Sequence, residues 1–325
     1  MKTSSIVVMG LACIFARAAH AGLTLTPAGQ AQGFGLSVFA SNFSTSGAIG
    51  PLGIDFPAGG GVLVSDQLGN VRRFAADIDG QNAALAPIGH NYGNGNSEGL
   101  AHLGSNIYMD QSPNAQIVQI NGDGTFNQSI ISVTTPVGLV ADPVIGRLFV
   151  ATRGNNQVFE VDPIARTKTL FASVANPDGL SVSPDGKTLY VAATGTGHIL
   201  GYDIATGTLD FDSGAIAGGI DGTAAGAGSL SNFVFANVNN GTVVQVNLST
   251  LTRTVIANGG SRGDFVSVDP TNDTLLITQT DSIYRLTPPS DGGFTPEPTG
   301  LSLLACGGAA LVARRRRLGN QTGRS

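Results

Sequence analysis

The acidic residues of this sequence have a spacing that could do chemistry. Glu98, Asp178, Asp221 and Asp264 each adjoin a glycine, and the last three stand 43 residues apart. If a repeating architecture brings such residues to one axis, their carboxylates repel unless they are solvated, protonated or neutralised by a cation. Calcium, which takes six to eight oxygen ligands at about 2.3–2.6 Å, is the natural candidate. An aspartate before glycine also serves turns, its side chain bonding to its own backbone, and both readings stay open on sequence alone. Two loops have a similar look. Asn121-Gly122-Asp123-Gly124-Thr125 lacks the distal glutamate of an EF-hand and reads as a hairpin turn, whereas Asn94-Gly95-Asn96-Ser97-Glu98 is richer in oxygen donors and leads into Glu98.

A repeat of about 40 residues must position these groups. Glycine-containing turns precede short β-rich runs at Pro51-Leu52-Gly53-Ile54-Asp55, Ser97-Glu98-Gly99-Leu100, Pro136-Val137-Gly138-Leu139, Pro177-Asp178-Gly179-Leu180, Ile220-Asp221-Gly222 and Arg262-Gly263-Asp264-Phe265. Steps of 46, 39 and 41 residues connect Gly53, Gly99, Gly138 and Gly179. Six units of several strands each, without helical periodicity, predict a six-bladed β-propeller. In the fourth unit, residues 179–183 and 188–192 flank the hairpin Pro184-Asp185-Gly186-Lys187, with further strands at 197–204 and 208–212. The last unit stops after Ile283-Tyr284-Arg285-Leu286, while Leu36-Ser37-Val38-Phe39-Ala40 is a strand without a blade. That N-terminal strand is expected to complete the sixth blade and close the ring, removing exposed edges. The positions expected at the channel mouth are Asp55 (or the adjacent Ile54), Glu98, Val137, Asp178, Asp221 and Asp264.

The run from Pro177 through Asp185-Gly186-Lys187 to Ala192 resembles blades of the SMP-30/gluconolactonase-like and NHL-type propellers, and the pattern extends over residues 53–286. The SMP-30-like resemblance implies a metal held at the channel mouth by Glu and Asp or Asn. Glu98 matches its Glu-Gly lead-in, Asp178 its Asn-Gly or Asp-Gly lead-in, and Asp221 and Asp264 complete the set. A lactonase of this type would use the cation as Lewis acid with one carboxylate as base. The acid usual after the second strand is missing from Tyr190-Val191-Ala192-Ala193-Thr194-Gly195; other units offer Asp66, Asp110 and Arg153 there. The stretch from Gly33 to Ala40, followed by Gly53-Ile54-Asp55, also resembles the start of sorbosone-dehydrogenase-like quinoproteins, although Leu52 stands where those carry arginine. Of the histidines after residue 21, His198 opens a third strand at the surface. His102 follows the first strand of unit two, where it either approaches the channel or is bonded structurally. There is no Gly-x-Ser-x-Gly elbow and no His-Glu-x-x-His. With no tryptophan, Tyr92 and Tyr108 are too few for a sugar-stacking platform.

Both ends of the chain read as addresses. Lys2, an apolar run at 6–15 and the Ala19-His20-Ala21 cleavage pattern form a signal peptide over 1–21. At the other end Pro296-Glu297-Pro298, an apolar run at 300–313 and Arg314-Arg315-Arg316-Arg317 stand in the order of a membrane-inserted tail with its arginines inside. Fourteen apolar residues fall short of the roughly 17–25 of a comfortable span, which suits brief insertion and processing. This order resembles the PEP-CTERM sorting signal, which implies an exosortase-type enzyme as partner. The expected organisation is a signal peptide (1–21), the propeller (22–290), and a linker with a sorting helix (291–325).

Without the residues of both addresses, 10 basic and 21 acidic residues remain, net −11 against −5 for the whole chain. An acidic body argues against nucleic acid. Cys13 and Cys306 fall in the addresses, so the body has no disulfide framework. The sequence thus predicts an exported propeller at the cell surface or outside it. It would act as a binding, envelope or matrix protein stabilised by calcium, with an exopolysaccharide or envelope partner and transient inner-membrane association of its tail. The alternative is a metal-dependent lactonase.

Overall fold

The computed structural model describes residues 22–93 and 99–295. The signal peptide, Glu98 with its loop, Pro296, Glu297, Pro298 and the arginine cluster lie outside the described residues. Within them the chain forms six sheets arranged as the blades of a propeller, each running from an inner strand outwards and antiparallel except where Gln81–Asn82 pairs in parallel at the outer edge of blade 6. The inner strands of blades 1 to 6 are Pro51–Asp55, Leu100–Leu103, Pro136–Asp142, Pro177–Val182, Ile220–Ala225 and Val266–Asp269. In the fourth blade the inner strand is followed by Thr188–Ala193, His198–Asp203 and Leu209–Asp212, close to the expected bounds.

The repeated glycines do a different job from the turns predicted for them. Four of them, Gly53, Gly138, Gly179 and Gly222, lie inside the inner strands, where a β-carbon on Gly138 would come within 2.3 Å of the Asp178 carbonyl oxygen, and one on Gly179 within 2.1 Å of that of Asp221. Neighbouring inner strands therefore meet backbone to backbone around the axis, an approach only glycine permits. Just before each of these glycines the strand slips register against its partner, between Pro51 and Ile54, Pro136 and Gly138, Pro177 and Leu180, and Ile220 and Gly222. Such bulges leave one residue out of the ladder and re-aim its side chain. In blades 1, 3, 4 and 5 the residue before the glycine is Leu52, Val137, Asp178 and Asp221.

The core is distributed around the ring, one apolar cluster between each pair of adjacent blades. Phe149 and Leu189 belong to the cluster between blades 3 and 4, Leu63 and Met109 to that between blades 1 and 2, and Phe235 and Leu275 to that between blades 5 and 6. Each of these side chains is essentially inaccessible, and complete burial of one contributes about 1.5–3 kcal/mol before entropy is charged against it.

Ring closure follows the expectation and goes one step further. Gly35–Ser41 pairs antiparallel with Ile283–Thr287, so the N-terminal segment supplies the fourth strand of blade 6. Ahead of it, Thr24–Leu25 adds a fifth strand to blade 5 by pairing with Arg253–Asn258, followed by the short helix Pro27–Ala31 with Thr26 as N-cap. Arg285 fastens the seam between blades 6 and 1. Its guanidinium reaches Asp269 at 2.9 Å, Asp79 at 2.9 Å and Asp77. The first five residues of the segment read as linker are also held. Gly292–Gly293 pairs with Ala227–Gly228, Phe294 is buried edge-on against Phe235, and Asp273 accepts hydrogen bonds from the backbone of Phe294 and Thr295.

Candidate functional site

The inner strands begin at one end of the channel, the mouth, and finish at the other, the floor. At the mouth the bulges turn Asp178 and Asp221 inward, and Asp264 stands in the same position ahead of the inner strand of blade 6. All three carboxylates are nearly inaccessible. Counting from the glycine, the corresponding positions in blades 1 and 3 are Leu52 and Val137. The expectation of Asp55 or Ile54 at the mouth is therefore corrected, because Asp55 lies two residues beyond Gly53 and so further down the channel.

The three mouth aspartates are not turned onto their own backbone. Arg153, from the short 3-10 turn after the second strand of blade 3, pairs with Asp178 of blade 4. Arg262, two residues before Asp264, places Nη2 2.8 Å from Asp221 Oδ2 and 2.7 Å from Asp264 Oδ1. Thr194 donates a further hydrogen bond to Asp221 Oδ1 at 3.2 Å. Asn237 braces the arm carrying Arg262 and Asp264, donating to the carbonyls of Phe265 and Thr278. Burial pushes the Asp264 carboxyl up to about 7, with the Asp221 charge acting in the same direction and Arg262 and Arg153 opposing it. Asp264 Oδ2 is buried with no hydrogen-bond partner among the described residues.

This arrangement tests the mouth against the calcium that the fold resemblance implies. Two fixed guanidinium groups already neutralise the carboxylates a cation would need, and their charge would repel a divalent ion brought beside them. Among the described residues no three His, Cys, Asp or Glu side chains are gathered in a way that could hold a metal. The donor set of the described residues, which do not include Glu98, does not fit calcium as it stands. The other acids that sequence offered are engaged locally: Asp66 accepts from Leu68, Asn70 and Arg72, and Asp110 accepts from the Gly99 backbone at 2.6 Å. Asp123 closes the hairpin at 121–125 through Thr125.

The floor is built differently. Here the channel widens into a cavity of about 500 Å³, walled mostly by carbon, with Phe56, Leu139 and Phe265 among its lining. His102, on the inner strand of blade 2, lies in it with its Nδ1 2.8 Å from Oδ1 of Asp55. Asp55 is buried whereas nearly half of the imidazole is exposed. The bond to Asp55 raises the imidazole pKa above its ordinary value, against the opposing effect of burial. Ser181 and Thr223 share a 3.1 Å hydrogen bond across blades 4 and 5, and Ser267 donates to the Ile54 carbonyl. Sequence left His102 open between the channel and a structural bond; it has both, and nothing in the sequence announced the carboxylate that it meets. His198 is bonded to Asp212 on the outer part of blade 4, and His90 packs edge-on against Tyr92.

Fold and channel together define a six-bladed β-propeller with a charged mouth and an apolar floor. The chain is similar in structure to a gluconolactonase from Xanthomonas campestris, with 18% identity over 82% of this chain and 95% of that one and a TM-score of 0.63. It is similar to a chain of a nidogen/laminin complex, with 16% identity over 69% and 93% and a TM-score of 0.57. It also resembles an auxiliary nutrient binding protein from Bacteroides thetaiotaomicron, with 11% identity over 78% and 76% and a TM-score of 0.59. No family profile matches the chain and no curated protein sequence matches it. At such identities the likeness carries the fold alone, and one propeller serves enzymes and binding proteins alike.

Proposed function

We propose that this chain is an exported, surface-sorted propeller that works as a binding protein of the envelope or extracellular matrix, without catalysis at the channel mouth. One observation carries the reading: Arg153 and Arg262 take up Asp178, Asp221 and Asp264, the carboxylates a metal-dependent lactonase would need for its cation. A calcium ion held there, as ligand of an enzyme or as a stabilising group, would have to displace both guanidiniums. The competing lactonase reading draws on Asp264, whose pKa of about 7 suits a general base.

The full chain, incubated with excess calcium or zinc and then dialysed, separates the two. The binding reading expects no stoichiometric metal, no hydrolysis of gluconolactone and a melting curve unmoved by EDTA. Stoichiometric metal with chelator-sensitive turnover would establish the lactonase, and a chelator-sensitive melting temperature alone would establish a stabilising ion. Surface sorting rests on the two terminal segments, through cleavage after Ala21 and recognition of Pro296-Glu297-Pro298 by an exosortase-type enzyme. The intact mass of the protein recovered from its own cell surface tests this. Retention of residues 1–21, or of the Arg314 to Arg317 cluster, would refute it.

A further inference from the structure

The floor of the channel is a second site, independent of the mouth. We infer that it binds a small, uncharged, mostly apolar molecule through a hydroxyl group that meets His102. Size comes first: about 500 Å³ lies within the roughly 300–1,000 Å³ of small-molecule sites, which combine apolar walls with a few convergent polar groups. His102 is the polar group best placed to read a ligand. Asp55 holds its Nδ1, fixing the ring, and Nε2 has no partner among the described residues although the ring is nearly half exposed.

Charge decides the ligand class. Asp55 and His102 are the sole ionisable side chains among the described residues lining the cavity. A protonated His102 is neutralised by Asp55, so an anion would be desolvated without a counter-charge; beside a neutral His102 the remaining charge is that of the Asp55 carboxylate, which is buried away from a cationic ligand. A hydroxyl avoids that cost. It can donate to the neutral imidazole and accept from the protonated one, so it suits Nε2 in either state. Ser181 and Thr223 are buried and bonded to one another, which leaves them less open to a ligand than His102, and the hydroxyl of Ser267 is given to Ile54. Selectivity therefore falls on the His102 end, and the apolar lining, Phe56, Leu139 and Phe265 among it, meets the remainder.

The probes are 2-naphthol, its methyl ether and 2-naphthoate, titrated at pH 7 into the full chain and followed by their own fluorescence, which no tryptophan obscures. 2-Naphthol should bind tightest and perturb the His102 ring resonances. The ether should bind about five- to tenfold more weakly, the worth of one hydrogen bond, and the carboxylate weakest of all. His102→Phe should bring naphthol and ether level, and Ser267→Phe, which fills the cavity, should weaken all three by at least about tenfold. The inference is overturned if the ether or the carboxylate binds as well as the naphthol. It also fails if the His102 resonances stay still at saturation, or if His102→Phe keeps the preference.

Discussion

The two ends of the channel use the same strands for opposite purposes. At the mouth, bulged inner strands gather three described aspartates, and two arginines from neighbouring loops absorb them. At the floor there is one carboxylate and one imidazole, and half the ring is left facing an apolar cavity. The end richer in ionisable groups thus has the less chemistry to offer, because its groups answer one another across blades 3 and 4 and across blades 5 and 6. What marks a site is the group whose bonding is incomplete and accessible, more than the number of acids.

Breaking the mouth should have the largest effect. Arg262→Met leaves Asp221 and Asp264 facing each other without their shared guanidinium. Removing one partner of a fully buried pair costs about 3–5 kcal/mol. A quarter of the Arg262 side chain is in water, so about 2–3 kcal/mol is expected, read as a fall of roughly 5–10 °C in melting temperature. Asp264→Asn in the same chain should recover much of the loss, since the two positions are coupled. An unchanged melting temperature in Arg262→Met would mean that the mouth is not held by charge.

The next effect is on pH dependence. Burial raises the Asp264 carboxyl from 3.8 to about 7, so between those values the folded protein keeps a proton that the unfolded chain has released. Stability from this group is therefore greatest below about pH 4, declines as pH rises towards 7, and is level above. Urea unfolding from pH 4.5 to 8 should show that decline, and Asp264→Asn should flatten it. A wild-type slope identical to that of Asp264→Asn would remove Asp264 as its source.

Sequence made much of the scaffold legible, because turn chemistry and β-branched runs recur at a fixed period and each blade is local in the chain. Even closure could be read, from a sixth unit one strand short and a spare strand at Leu36 to Ala40. The mouth was half legible. Asp178, Asp221 and Asp264 recur with the period, and Arg153 stands at the position after the second strand where other units have Asp66 and Asp110, but nothing in the sequence says that it acts on the next blade. Asp55 was misplaced because it was not counted from its glycine: the mouth position is the residue before Gly53, as it is before Gly138, Gly179 and Gly222. The dyad at the floor joins residues 47 apart in different blades, a contact only the ring geometry creates. Strand pairing by Thr24–Leu25 carried no signal either, two residues being too short a run to register as a strand.

The floor offers the smallest and most local test. The imidazole of His102 gains from the Asp55 carboxylate, so its folded pKa stands above the ordinary 6.5. The stability it contributes is complete below about 6.5 and is lost as pH rises through the raised value. Asp55→Asn keeps the shape and removes the charge. Followed by the His102 ring proton in an NMR titration, the pKa should fall, because the neighbouring opposite charge that raises it is gone, with little change in melting temperature because the ring is half solvated. A pKa that does not move would mean that the 2.8 Å contact does not tune the imidazole. A fall in that pKa, beside a mouth that loses several degrees when Arg262 is removed, would separate the two ends by function: charge at the mouth holds blades together, and charge at the floor sets the state of a single accessible ring.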